Sequence, residues 1–261
     1  MTVNTHLTSL ASNLVLSDVE KVSISTSITT LSSRLSSYFG ENITGQLQFG
    51  SSTRGTILPH GVDSRSDIDY MIIFDTSDGQ KKPQSYLDRL KKFAEARYST
   101  SEITQSNPTI VLSLNHIRFE LVPAVYNFGY QIPSPASSWT EWISTDPTGS
   151  NQAILDKNKA ENYQIKPLVR LIKYWNVAQG RLYTPFSLEQ YIVSKYFLSC
   201  TTLRDYFYAF WDGFSYAYDA PQNTKDRVDR AKRHVAQAKE YENKYMPDSA
   251  ESEINKIVPA L

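Results

Sequence analysis

The sequence predicts an α+β protein of two lobes, the first containing the strands and the second almost entirely helical. Three observations indicate this division. Up to residue 122, short β-rich runs alternate with amphipathic helical segments. From residue 123 to about 158 the composition turns to Pro, Ser, Gly and Trp, and beyond it apolar residues recur at helical spacing. We therefore expect a first lobe at residues 1–135 and a helical lobe at residues 136–261, joined by a long ordered crossover.

The first lobe is predicted to begin with a long helix. Ser17 stands three residues before Glu20, the spacing of a capping box, and apolar residues follow at helical intervals as far as Phe39. Gly40 predicts the end of this helix, which is also a candidate to run along both lobes. The alternating run "GQLQFG", residues 45–50, then predicts a strand that enters a glycine turn.

A strand, a helix and a hairpin complete the first lobe. "DIDYMIIF", residues 67–74, is typical of a strand, and residues 83–97 form an amphipathic helix. "TIVLSL-NH-IRFELV", residues 109–122, predicts a hairpin because two β-rich runs flank a two-residue polar connection. In the second lobe, apolar stripes predict helices at residues 165–176 and 224–245.

The composition excludes several classes of function. The 27 basic and 27 acidic residues cancel, so the chain lacks the positive charge of a protein that coats duplex DNA. The single cysteine, Cys200, permits no internal disulfide, and no Cys/His cluster offers a structural zinc site. Neither a signal-peptide pattern nor a run of eighteen apolar residues is found. We expect a cytoplasmic protein with no membrane partner.

Three acidic residues are candidates for a metal site. Strand alternation puts Asp67 and Asp69 on one face, and Glu120 on the polar face of the hairpin strand beside Arg118. If these strands are neighbours, three carboxylates converge and repel one another unless a cation neutralises them. Oxygen ligands select Mg²⁺ or Mn²⁺, and two such ions about 3.5–4 Å apart clamp the attacking and leaving oxygens of phosphoryl transfer.

Other interpretations of these segments stay open at this stage. The aspartates can simply cap the end of a strand, with Glu120 paired to Arg118 or to a lysine. "GSSTRGT", residues 50–56, can hold a phosphate through backbone N–H groups and Ser51, or be an ordinary turn. It lacks the lysine of a P-loop, and "DSRSDID", residues 63–69, lacks the ligands and the glycine of a calcium-binding loop.

Gly50-Ser51, Asp67-x-Asp69 and the third acid in "FELVPA" together resemble the active-site pattern of the polymerase-β-like nucleotidyltransferase superfamily. Within it the chain is most similar to the bacterial cGAS/DncV-like nucleotidyltransferases (CD-NTases), from the long N-terminal helix to "KPLVRLIKYW…FSLEQYIV". The resemblance implies a catalytic lobe with a mixed or antiparallel sheet and helices on one face. The helical lobe would be like that of oligoadenylate synthetase.

The resemblance also implies an activity. The enzyme would be a Mg²⁺-dependent, template-independent nucleotidyltransferase that joins ATP, GTP or pyrimidine triphosphates into a cyclic or linear oligonucleotide. This second messenger would diffuse to a downstream effector, in bacterial anti-phage signalling. Asp67, Asp69 and Glu120 would be catalytic and hold two Mg²⁺ ions, for which Mn²⁺ can substitute. Gly50 and Ser51 would hold the β- and γ-phosphates. The family's third acid is commonly aspartate, so glutamate at position 120 is a departure.

A basic stripe in the second lobe supplies further candidates. Lys166, Arg170 and Lys173 are spaced i, i+4 and i+7, which without context is typical of a solvated helix face. The resemblance assigns Lys173 to the triphosphate and Ser187, fourteen residues later, as its partner. Pro167 belongs in a first helical turn or at a kink, so we rank Lys166 below Lys173 as a nucleotide-binding residue.

Three other functions are also open. A different member of the superfamily would transfer a nucleotide to a protein, an RNA end or a small molecule, and the helical lobe with Lys173 and Ser187 argues against it. A nucleotide-binding sensor would keep the fold but lack turnover, and the glutamate at position 120, in place of the common aspartate, is the feature that suggests it. A nucleotide-sugar glycosyltransferase also uses Asp-x-Asp, but does not need the Gly-Ser turn upstream.

Overall fold

A computed structural model describes residues 2–134 and 141–261. The chain separates into two compact units, which we call the sheet unit, Leu16–Gln152, and the helical unit, Met1–Val15 with Ala153–Leu261. The predicted lobe boundary between residues 135 and 136 lies outside the described residues. The long helix predicted at residues 17–39 lies wholly within the sheet unit.

The helices and strands of the described residues are numbered in chain order. They are α1 (Val3–Asn13), α2 (Asp18–Phe39), β1 (Ile43–Phe49), α3 (Gly50–Arg54), β2 (Asp67–Phe74), α4 (Pro83–Arg97), β3 (Glu102–Ser106), β4 (Thr109–Leu114), β5 (Ile117–Tyr126), β6 (Tyr130–Pro133), β7 (Trp142–Thr145), α5 (Pro147–Ala160), α6 (Ile165–Ala178), α7 (Pro185–Ser194), α8 (Leu203–Gly213), α9 (Gln222–Asn243) and α10 (Pro247–Asn255).

The sheet is mixed, as the resemblance implies. Its central strands lie in the order β1-β2-β5-β4-β3, and β6 extends it by pairing with β5 and with β7. β2 and β5 run parallel, whereas β1 with β2, β3 with β4 and β4 with β5 are antiparallel. The parallel pair at the centre brings the starts of β2 and β5 to the same edge of the sheet.

Helices α2 and α4 cover one face of the sheet and form the main core with it. From β2 this core receives Ile68, Tyr70, Ile72 and Phe74, all at most 5% exposed, whereas Met71 packs into a small cluster on the opposite face. Burial of each large apolar side chain stabilises the fold by about 1.5–3 kcal/mol. A one-residue slip of β2 would reverse its two faces, so burial fixes the register of the polar residues too.

Several local predictions are confirmed. Helix α2 begins with the capping box: the Ser17 hydroxyl accepts the Glu20 N–H (3.2 Å), and the Glu20 carboxylate accepts the Ser17 N–H (2.8 Å). Strand β2, helix α4 and the β4–β5 hairpin have the predicted positions. Helix α1 was not predicted, although Thr2 caps it and its apolar residues have helical spacing.

The predicted crossover at residues 123–158 is wrong. The described part of this range contains the end of β5, strands β6 and β7, and most of α5. Pro123 lies inside β5, between Leu121, where pairing with β4 stops, and Val125, where pairing with β6 starts. Proline is tolerated at such a position because one side of the strand has no ladder partner that needs its N–H.

The helical unit is built around α6, which packs against α1, α7 and α8. The helices predicted at residues 165–176 and 224–245 are present as α6 and α9. Trp175 of α6 and Trp211 of α8 meet edge to face, with ring centroids 4.8 Å apart. In the parts of the chain that the structure describes, no helix combines the length and the apolar character needed to cross a membrane.

Candidate active site

Strands β2 and β5 place three carboxylates side by side. Asp69 is paired in register with Glu120, and Asp67 with Arg118. Because Ile68 and the residues after it alternate into the helix-covered core, these four side chains project from the opposite face. The side chains of Asp67, Glu120 and Arg118 are 27%, 22% and 29% exposed, so they are partly withdrawn from water. The strands are therefore neighbours, which is the condition for the three acids to converge.

The surroundings of Asp67 in this cluster oppose the ionisation of its carboxyl group. Burial raises the pKa of its carboxyl group to about 8, and the negative charges of Asp69 and Glu120 add to the effect. The positive charge of Arg118 opposes it. Full ionisation of all three acids therefore requires more positive charge than the described residues of the cluster provide.

Arg118 contacts two of the acids. Its Nη2 lies 2.6 Å from Oε1 of Glu120, a short charge-assisted hydrogen bond, and 3.8 Å from Oδ2 of Asp67. The ion pair of Glu120 with Arg118, left open from the sequence, is thus present. It coexists with the carboxylate cluster instead of replacing it.

Gly50 lies against the same cluster. Phe49, the last residue of β1, pairs with Asp69 on β2, so the chain leaves β1 directly beside that carboxylate. A Cβ at position 50 would lie 1.7 Å from Oδ2 of Asp69, and the φ angle of Gly50 is +78°. Only glycine fits both the close approach and the left-handed backbone. Gly50, which was predicted to lie in a turn, is instead the first residue of the short helix α3. The backbone carbonyl of Ser51 accepts the N–H groups of Thr56 (3.0 Å) and Ile57 (3.2 Å).

The carboxylates of Asp67, Asp69 and Glu120 are suitable ligands for a hard divalent cation, although they are not already arranged around a single ion position. Among the described residues, no three His, Cys, Asp or Glu side chains are arranged as a ready metal site. The Glu120 carboxylate lies against Arg118. The donors are all carboxylate oxygens, the ligands that Mg²⁺ and Mn²⁺ prefer, and their mutual repulsion favours a cation.

In the helical unit, Lys173 is buried, so the alternative of a solvated helix face does not hold for this residue. It is 5% exposed and forms an ion pair with Glu189 of α7, which is 1% exposed. Glu189 was missed from the sequence. A signal was present, because this acid lies within the apolar stripe of α7 between the buried Leu188 and Ile192.

The other candidates of the helical unit are more accessible. Lys166 and Arg170 are half-buried, and burial followed by the charge of Arg170 lowers the pKa of Lys166. Burial lowers the pKa of Arg170 to about 10, and its Nε donates to the carbonyl of Ala11 (3.2 Å). Ser187 is exposed in the first turn of α7, where its hydroxyl donates to the carbonyl of Thr184 (2.8 Å).

Comparison with known proteins gives consistent matches. Residues 1–158 match the family model described as Second Messenger Oligonucleotide or Dinucleotide Synthetase domain. A cyclic AMP-AMP-AMP synthase from Acinetobacter sp. is 25% identical over 135 residues, and the match covers 51% of this chain and 38% of that protein. The chain thus matches well under half of the length of this curated relative.

Two solved structures share the fold over nearly the whole chain. E. coli MS115-1 CdnC, solved with ATP, superposes with a TM-score of 0.73 at 15% identity and covers 98% of each chain. Vibrio cholerae DncV, a cyclic AMP-GMP synthase, superposes with a TM-score of 0.74 at 13% identity and covers 95% of this chain and 93% of its own. These likenesses show that the fold is that of the CD-NTases.

Proposed function

Because this chain belongs to the Second Messenger Oligonucleotide or Dinucleotide Synthetase family, we propose that it joins nucleoside triphosphates into a cyclic or linear oligonucleotide messenger. The observation that carries the proposal is the register of Asp69 with Glu120 on adjacent parallel strands, with Gly50 packed against Asp69. The messenger would act on a downstream effector in bacterial anti-phage signalling, as the resemblance implies. The CdnC structure contains ATP, which supports a triphosphate substrate.

The proposed reaction is a nucleotidyl transfer. A ribose hydroxyl oxygen of one nucleotide forms a bond to the α-phosphorus of another, and the bond from that phosphorus to pyrophosphate breaks. Asp67, Asp69 and Glu120 would hold two Mg²⁺ ions, with Mn²⁺ as a substitute. When bound, these ions neutralise charge on the phosphates and make the hydroxyl more acidic.

The candidate site residues of the sheet unit have distinct roles in this proposal. Glu120 accepts the proton that the attacking hydroxyl loses, because its carboxylate is paired in register with the proposed metal ligand Asp69. Gly50 leaves room for the Asp69 carboxylate, and its lack of a side chain lets the backbone approach the β- and γ-phosphates. Ser51 donates its hydroxyl hydrogen to the same phosphates.

Lys173, Ser187 and Lys166 are proposed to bind the nucleotide from the helical unit. Ser187 is exposed, and its hydroxyl has only to rotate away from the Thr184 carbonyl to donate elsewhere. Lys173 holds its charge in the pair with Glu189, so it would bind phosphate as a member of that pair. Lys166 is half-buried, and burial followed by the positive charge of Arg170 lowers its pKa.

The test is incubation of the protein with all four labelled nucleoside triphosphates and Mg²⁺ or Mn²⁺, followed by phosphatase treatment and mass spectrometry. We expect a small phosphatase-resistant oligonucleotide that disappears in the Asp67→Ala variant. A product that survives this substitution would refute the assigned site. Label on protein or RNA would indicate a transferase that modifies macromolecules, and metal-dependent binding without turnover would indicate a sensor.

A further inference from the structure

Arg118 occupies a position that a cation would be expected to take. It is on β5 two residues before Glu120, so both side chains project from the same face of the strand. Across the parallel ladder it is opposite Asp67. Its guanidinium therefore reaches two of the three acids, at 2.6 Å from Glu120 and 3.8 Å from Asp67.

The guanidinium is not fully satisfied by these contacts. Its Nε is buried and has no hydrogen-bond partner among the described residues. A buried donor without a partner carries a free-energy cost, which a purely structural arginine would avoid by filling its remaining donors. The pair with Glu120 is thus the interaction that offsets this cost and holds Arg118 in its orientation.

When all three acids are ionised, one guanidinium balances one of their three negative charges. It can lower the repulsion in the cluster, but it cannot replace the charge of divalent ions. At the same time it occupies Oε1 of Glu120, one of the two oxygens that this carboxylate offers to a metal ion. Arg118 and an incoming metal ion therefore compete for the same carboxylate.

We propose that Arg118 is an internal counter-ion that holds Glu120 until a divalent metal ion displaces it. It is a positioning residue, because it acts through Glu120 and not on the substrate. This inference rests on the proposed function, since it takes the three acids as the metal ligands. Its consequence is that part of the metal's binding energy is used to open the Arg118–Glu120 pair, so apparent metal affinity is lower than the acids alone would give.

The test is direct titration of Mn²⁺ by electron paramagnetic resonance, in the presence of a non-hydrolysable ATP analogue. The proteins are the wild type, Arg118→Met and Arg118→Lys. Methionine keeps much of the apolar stem and removes the charge, so Mn²⁺ should bind about tenfold tighter, the scale of one lost charge-assisted hydrogen bond. Lysine keeps the charge as a compact ammonium and should bind Mn²⁺ with an affinity between the two. Arg34→Met is the matched control, because Arg34 donates to the carbonyl of Arg97, outside the carboxylate cluster, and should leave Mn²⁺ affinity unchanged.

Thermal unfolding gives a second readout. In EDTA, Arg118→Met should unfold at a lower temperature than the wild type, because three carboxylates then lack their counter-ion, and Mn²⁺ should raise its unfolding temperature more than that of the wild type. Arg118→Gln, which retains donors but no charge, should behave in the same way and serves if the methionine variant does not fold. One outcome would overturn the counter-ion role alone. In it, the wild type binds Mn²⁺, Asp67→Asn abolishes this binding, and the uncharged Arg118 variants bind Mn²⁺ no more tightly than the wild type. If the wild type shows no Asp67-dependent Mn²⁺ binding, the proposed metal-dependent function is overturned as well.

Discussion

The Asp69 carboxylate fills the space in which any side chain at position 50 would lie, with its Oδ2 1.7 Å from an ideal Cβ at Gly50. This contact joins the end of β1 to the proposed metal ligands on β2. The glycine is therefore required by the position of a catalytic candidate, and not only by the shape of a turn.

Gly50→Ala should displace the Asp69 carboxylate. A shift of about 1 Å in a reacting group can lower the rate roughly 100-fold, so oligonucleotide synthesis should fall by about that factor or more. Product formation under saturating triphosphate and Mg²⁺ is the measurement. Gly79→Ala is the control, since Gly79 also has a positive φ, +92°, but a Cβ added there would meet nothing within 4 Å. If both alanine variants lose activity equally, backbone strain and not the contact with Asp69 is responsible.

Glu120→Gln should abolish synthesis with little change in fold. The amide keeps the shape of the side chain and its bond to Arg118, but it removes the charge needed to hold a metal ion and to take a proton. Glu120→Asp should retain measurable synthesis, because aspartate is the common third acid of the resembling family. Initial rates of product formation, with circular dichroism to check folding, compare the two. Equal loss in both variants would contradict a role for the charge itself.

The stability of the metal-free protein should fall as pH rises. The pKa of Asp67 is about 8 in the folded chain against 3.8 for the unconstrained group. A raised folded-state pKa means that the contribution of this group is full below the unfolded value and is lost as pH rises through the folded value. Urea unfolding in EDTA at a series of pH values between about 4 and 9 should show this decline in the free energy of unfolding.

Asp67→Asn is the comparison for the pH series. It cannot ionise, so the difference in unfolding free energy between the wild type and this variant should change progressively over the same pH range. Parallel curves for the two proteins would show that Asp67 has no raised pKa.

The buried pair of Lys173 and Glu189 should be strongly coupled. Lys173→Met leaves a carboxylate buried without its lysine partner, which is expected to lower the free energy of unfolding by about 3–5 kcal/mol. Combining it with Glu189→Gln removes the stranded charge and should recover most of this loss. Urea unfolding of the two single variants and the double variant measures the coupling.

A lysine in a surface ion pair gives the reference value for the loss of unfolding free energy in Lys173→Met. Lys239 pairs with Asp212 where their side chains are 33% and 60% exposed, so Lys239→Met should cost at most about 1 kcal/mol. A Lys173→Met loss no larger than that of Lys239→Met would mean that the buried pair contributes nothing special to stability.

Local patterns in the sequence determined most of the elements that carry the site. The capping box of Ser17 and Glu20 set the start of α2, and the alternation of apolar and acidic residues set both faces of β2. These are interactions between residues close along the chain, so their spacing alone predicts them. The same patterns selected Asp67, Asp69 and Glu120 as candidates.

Only the tertiary structure decided how those candidates meet. The pairing of Asp69 with Glu120, the fit of Gly50 against Asp69 and the contact of Arg118 with Asp67 all join different strands. The burial of Lys173 with Glu189 likewise joins two helices. Strand order and helix packing are set by which faces the whole chain can bury, and no local spacing contains that information.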